Sequence, residues 1–128
     1  MISMYQIEEL ANNCFFVKAI GIFPLPVAQQ FVKEFEIKTA GIKANLCVIV
    51  DITDAILLKV ESLTTILDLL KRDNYRLHKS AFIISNNPPL DTEFLYLLEK
   101  ANSPKRKVVS TLEEAKTWVG IDKIIVKK

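Results

Sequence analysis

Five apolar residues in a row, Leu46-Cys47-Val48-Ile49-Val50, end abruptly on Asp51. The run is far short of the roughly 20 residues that a membrane-spanning helix needs. It also lacks the alternation of a strand with one wet face. It reads as a strand covered on both faces, the habit of parallel sheets. Parallel strands need crossover connections, usually helices. Leu63, Ile66, Leu67 and Leu70 follow at helical spacing and predict a helix that starts between Lys59 and Ser62.

The same pairing recurs downstream. Ser80 to Ser85 (SAFIIS) reads as a second buried strand, and Asn86-Asn87-Pro88-Pro89 forces a loop. Asp91 opens a helix running to about Ala101, with Phe94, Leu95, Leu98 and Ala101 inward. Lys107 to Val109 is a short strand. Ser110 and Glu113 have capping-box spacing before a helix that carries Leu112, Ala115, Trp118 and Val119 and stops at Gly120. Ile124 to Val126 reads as a last short strand or as a tail laid on the body.

Upstream, Met4 to Leu10 suits an edge strand. The Ala11-Asn12-Asn13 turn leads into Cys14 to Ile20, so the two form a hairpin. Gly21 ends the second strand. Pro24 and Pro26 open a helix from Val27 to Thr39, with Val27, Ala28, Phe31, Val32 and Phe35 on one face and Gly41 as its stop. The order β-β-α-β-α-β-α-β-α predicts an α/β fold with a mostly parallel sheet and right-handed crossovers. The first strand is antiparallel.

Composition excludes several classes of function. The 128 residues suit one domain, 1–128, and 17 basic against 15 acidic residues leave a net charge of +2. Such a balance gives no overall pull towards nucleic acid or membrane, and no nucleic-acid partner is expected. Lys71, Arg72, Arg76, His78 and Lys79 form a local basic run, as do Lys105-Arg106-Lys107. Each reads as a solvated helix end or as a contact for phosphate or an anionic lipid headgroup. Cys14 and Cys47 lie in apolar runs and read as two reduced core thiols. With one histidine and no paired cysteine motif, no metal site is expected. Three glycines leave no phosphate-cradling loop, and no cofactor is implied. Neither a signal peptide nor a transmembrane segment is legible, so the expected location is cytoplasmic.

Four stretches together resemble a known family: CFFVKAIGIF followed by a helix, LCVIVDITDA, KSAFIIS, and KVVSTLEEAKTWVG. They are similar to SpoIIAA-like domains. These include the STAS domains of anti-sigma-factor antagonists, and an uncharacterised bacterial branch grouped with them and with CRAL-TRIO lipid-transfer proteins. The resemblance covers nearly the whole chain. It implies a singly wound β-α superhelix of about five strands and four helices. In STAS antagonists the loop after the central strand carries an Asp-Ser-Ser-Gly-like motif whose serine is phosphorylated at a helix start. A helix N-terminus suits that charge. Lys59-Val60-Glu61-Ser62 falls at the motif here. Val60 or Glu61 replaces the serine, and Ser62 stands where the family has glycine. Ser62, or Thr64, is the remaining candidate for phosphorylation, and a helix cap is its alternative role.

The expected site is therefore the loop from Asp51 to Ser62 with the end of the preceding strand. Its candidate binding residues are Asp51, Thr53, Asp54, Leu57, Leu58, Lys59, Glu61 and Ser62, with Ile22 and Phe23. Ser85 to Asn87 and Ser110-Thr111 share that edge of the sheet, where open α/β folds bind ligands. The leading expectation is a non-enzymatic module that binds a protein partner or a second copy of itself as a homodimer. The alternative is a carrier of a small apolar or lipid ligand, its pocket lined by Ile22, Phe23, Leu57 and Leu58. An enzyme built on Asp51 or Asp54 lacks the histidine or third carboxylate that acid–base work needs.

Overall fold

The computed structural model describes residues 4–11, 13–58, 60–84, 88–101 and 104–120. In chain order these form β1 (Met4–Ala11), β2 (Cys14–Phe23), α1 (Leu25–Lys38), β3 (Leu46–Leu58), α2 (Val60–Asp73), β4 (Leu77–Ile83), α3 (Pro88–Ala101), β5 (Arg106–Val109) and α4 (Leu112–Val119). The strands lie side by side in chain order, β1-β2-β3-β4-β5. β1 is antiparallel to β2, and every later pair is parallel. The α/β class, the mostly parallel sheet and the antiparallel first strand are as expected. Ser85 to Asn87 and Ile124 to Val126 lie outside the described residues.

Period-two alternation sends neighbouring residues to opposite faces. Phe15, Val17, Leu46 and Val48 pack against Val32, Phe35 and Leu69 of α1 and α2. Further along that face, Ile52, Ala55 and Phe82 meet Leu70 of α2 and Phe94, Leu97 and Ala101 of α3. The alternate residues Cys14, Phe16, Cys47, Ile49, Ala81 and Ile83 line the other face and form one buried cluster with Ala115 and Val119 of α4. Both faces of β2, β3 and β4 are thus covered, which is why their sequences read as unbroken apolar runs.

Several sequence expectations are corrected. The largest concerns Asp51 to Leu58, read as a loop and found as strand. β2 does not end at Gly21 but continues to Phe23 and supplies the pairs Gly21↔Ala55, Ile22↔Leu57 and Phe23↔Leu58. Gly21 has φ 85° inside the strand, beside a register shift whose extra residue lies on β3 between Ala55 and Leu57. In α3 the buried face uses Leu97, fully enclosed, whereas Leu95 is 56% exposed. The helix starts at Pro88, since the first turn needs no N–H from proline.

The cap of α4 is one residue later than its spacing suggested. Thr111 is the N-cap, and its Oγ1 accepts the Glu114 N–H at 3.1 Å. Thr111→Ala is expected to cost about 1 kcal/mol, and Ser110→Ala close to nothing. Urea midpoints of the two variants separate the assignments.

The basic runs are corrected too. Arg72 is exposed and pairs with Glu36 at 3.3 Å, but Arg76 is buried. Its guanidinium donates to the Thr39 carbonyl at 2.7 Å, the Ile42 carbonyl at 2.9 Å, Thr39 Oγ1 at 2.9 Å and Asp73 Oδ1 at 3.1 Å. Close by, Arg106 donates to the Leu70 carbonyl at 2.9 Å, and Asn74 Nδ2 to the Ala101 carbonyl at 2.8 Å. The carboxyl-terminal ends of α1, α2 and α3 all present unpaired carbonyls here. Arg76, Arg106 and Asn74 satisfy them together at one end of the sheet.

Candidate functional site

The opposite end of the sheet holds the candidate residues. Among the described residues the β3–β4 ladder ends at Asp51↔Ile83, and the β1–β2 ladder at Met4↔Ile20. β2 and β3 go on alone as a two-stranded ribbon to Phe23↔Leu58. Register shifts between Lys18 and Ile20, and between Gly21 and Ile22, twist this ribbon away from the flat sheet.

The polar residues of the ribbon are organised by short contacts. Asp51 Oδ1 accepts the Thr53 N–H at 2.9 Å and the Thr53 hydroxyl at 2.6 Å. This local turn holds the half-buried carboxylate in one orientation. Asp54 extends into solvent and pairs with Lys18 Nζ at 3.0 Å. That hydrogen bond raises the Lys18 pKa against the effect of burial, and the Asp54 and Asp51 charges add to the rise. Lys18, register partner of Asp51, was not among the sequence candidates. Its signal was present: it is the one charge in CFFVKAI, and a lone lysine in a buried run needs a partner.

Ile22 is half-buried and Phe23 is buried in the core. Leu57 and Leu58 pair with these two along the backbone. Lys59 lies outside the described residues. Glu61 is exposed in the first turn of α2.

Ser62 is neither a helix cap nor a presented phosphate acceptor. It lies inside α2, has zero exposure, and donates its hydroxyl to the Phe23 carbonyl at 2.8 Å. The bond ties the start of α2 to the end of β2. A kinase does not reach this hydroxyl in the folded chain. Thr64, the other hydroxyl considered, is exposed.

Among the described residues no three of His, Cys, Asp and Glu gather where they could hold a metal ion. Nor is any helix of these residues long and apolar enough to cross a membrane. Between the sheet and α1, α2 and α3 lies an apolar cavity of about 90 Å³, lined in part by Phe23, Phe31, Phe82 and Phe94. A cavity of about 150 Å³ is known to take benzene. The space here is smaller.

Two enclosed hydroxyls on the cavity wall, Tyr5 and Ser80, make no hydrogen bond among the described residues, though the Glu34 carboxylate stands near Tyr5. Burial first, and then Glu34, pushes the Tyr5 pKa up to about 12. A raised pKa means the fold holds the proton more tightly than the unfolded chain. The resulting stability is full below about pH 10 and is lost as pH rises towards 12. Absorbance titration at alkaline pH should show a late phenolate component that Tyr5→Phe removes.

No protein-family model matches the sequence, and no curated protein does. Solved structures do match. An uncharacterized protein of the DUF3478 family with a SpoIIAA-like fold, from Shewanella loihica PV-4, superposes with a TM-score of 0.73 at 19% identity. The match covers 93% of this chain and 96% of that one. The anti-sigma factor antagonist SpoIIAA in its unphosphorylated form superposes with a TM-score of 0.62 at 12% identity. It covers 91% of this chain and 98% of that one. At such identities the likeness establishes the fold and nothing finer.

Proposed function

Starting from a SpoIIAA-like fold, we propose that this protein is a non-enzymatic regulatory module that works by binding a protein partner. One neighbour in fold is an anti-sigma factor antagonist, a protein named for its action on another protein. The observation that carries the reading is the ribbon of β2 and β3. It extends beyond its neighbouring strands, and where it leaves them Lys18, Asp51, Thr53 and Asp54 form a fixed polar cluster. Ile22, Leu57 and Leu58 continue the ribbon in register, and Glu61 and, from its place in the sequence, Lys59 are proposed with them. Ser62 serves it from beneath, as an anchor rather than a switch. Asp51 and Asp54 are held by a turn and by an ion pair, and no histidine stands beside them in the sequence. Two reduced, buried cysteines fit a cytoplasmic setting.

A charge swap tests the surface without removing its internal ion pair. Lys18→Asp with Asp54→Lys keeps an attractive pair while reversing which strand carries each sign. Tagged wild type and swap are compared by quantitative affinity capture from lysate, with Lys38→Glu as a remote control. The swap should weaken capture of the specific partner roughly tenfold or more, about 1.4 kcal/mol. Equal capture by wild type and swap would remove the ribbon as the interface. Light scattering of both proteins shows whether the partner is a second copy of the chain.

A further inference from the structure

The parallel register sets Cys14 of β2 directly opposite Cys47 of β3. The Cys47 N–H donates to the Asn13 carbonyl at 2.8 Å, which fixes this pairing at the mouth of the hairpin. Neighbouring strands lie about 4.8 Å apart. That spacing falls inside the Cα separation of about 4.4–6.8 Å that disulfides adopt. Both side chains point to the α4 face, in one cluster with Phe16, Ile49, Ala115 and Val119. Both are free thiols, 2% and 6% exposed.

Two valines would fill this space as well. Two thiols in register are the arrangement that can also form a bond. The contact already polarises them. A hydrogen bond from Cys47 lowers the Cys14 pKa, against the effect of burial, and the same contact with burial pushes Cys47 up. Of the two thiols, Cys14 is the one favoured as nucleophile.

We propose that Cys14 and Cys47 are a reversible two-electron redox site, a dithiol that a peroxide converts to a disulfide joining β2 to β3. The Cys14 thiolate attacks one peroxide oxygen, the O–O bond breaks, and hydroxide leaves with a proton to form water. Cys14 becomes a sulfenic acid. The Cys47 sulfur attacks the Cys14 sulfur, its thiol proton goes to the departing hydroxyl, and a second water leaves. Each sulfur has lost one electron and each peroxide oxygen has gained one. A small thiol such as glutathione reverses the step by exchange, giving back two thiols and glutathione disulfide.

On this face lies α4, a helix of eight residues that joins the same cluster through Ala115 and Val119 and packs mainly on β4 and β3. So short a helix holds its place by packing rather than by its own stability, and local opening admits a small oxidant. Trp118 on the same helix donates its indole N–H to the Ser80 carbonyl at 3.0 Å and the Lys105 carbonyl at 3.3 Å, so it reports how α4 sits.

The test uses the folded, freshly reduced chain. Hydrogen peroxide or diamide is added, remaining thiols are trapped with iodoacetamide, and the intact mass is measured. The expected product is a monomer lighter by two hydrogens that takes no alkyl group. It should yield a Cys14–Cys47 linked peptide and return to the starting mass with dithiothreitol. Trp118 fluorescence should shift with the same time course. Two alkylatable thiols surviving under conditions that fully oxidise free glutathione would overturn the proposal. So would a link formed between chains. Cys14→Ser and Cys47→Ser should block the mass loss, and if either fails to fold, the wild-type measurement still decides.

Discussion

Arg76→Ala should lose roughly 3–5 kcal/mol of folding stability, the range for breaking a buried, hydrogen-bonded charge pair from one side. The guanidinium holds two carbonyls, one hydroxyl and one carboxylate at once. Alanine leaves all four without it in a buried place. Whole domains are stable by only about 5–15 kcal/mol, so the variant stands near its limit at growth temperature. Arg76→Lys should recover part of the loss, because an ammonium lacks the fork that spans these acceptors.

The deficit should also depend on pH. Burial raises the Asp73 pKa, while Arg76, and then Arg106 and Arg72, oppose the rise. Without Arg76 the carboxyl rises further. A raised acid binds its proton more tightly in the fold than in the unfolded chain. Stability of the variant therefore falls as pH climbs above the unfolded value of about 3.9. Urea titrations should show a smaller gap between variant and wild type at pH 4 than at pH 7. A gap that is constant, or larger in acid, would mean that Asp73 is not the group left exposed to this cost.

Ser62→Asp, the usual imitation of a phosphoserine, should lose roughly 3–5 kcal/mol as well. The position has no exposure, and a carboxylate there meets the Phe23 carbonyl oxygen in place of a donated hydroxyl proton. Ser62→Ala loses one hydrogen bond and strands that carbonyl, for about 1–3 kcal/mol. Circular dichroism and urea midpoints give the order wild type, Ala, Asp. An Asp variant as stable as wild type would show that the start of α2 is not sealed to β2. The two chemistries are thereby separated: a phosphorylation switch needs a serine that accepts charge, and this one excludes it.

The scaffold was legible because burial on both faces writes itself as apolar runs, and crossover helices as a 3.6-residue period. The ribbon was not. In Asp51-Ile52-Thr53-Asp54-Ala55 the inward residues are Ile52 and Ala55, three apart rather than two. A bulge lies between them, and it breaks the alternation by which a strand is recognised. Arg76 was misread for another reason. Its acceptors Thr39 and Ile42 lie 37 and 34 residues earlier, so nothing local marks it as buried. In α3 the run Leu95-Tyr96-Leu97-Leu98 is apolar on every side, and only packing selects Leu97. The Cys14 and Cys47 pairing needs the β2–β3 register, which no single run contains. Ser62 was named from its place in a motif, but its enclosure depends on where Phe23 ends β2.

β2 and β3, flanked on both sides in the sheet, also carry a hazard. FFVKAI and LCVIVD are six-residue windows rich in β-branched and aromatic side chains, with one charge each and no proline. Such windows form cross-β fibrils when they are exposed. In the fold each is paired on both edges and covered on both faces, so none of that surface is offered. Protection then depends on the folded fraction alone. Every 1.4 kcal/mol lost at Arg76 or Ser62 multiplies the exposed population about tenfold. Destabilised variants of this chain should therefore fail first as aggregates, at concentrations where the wild type stays dispersed.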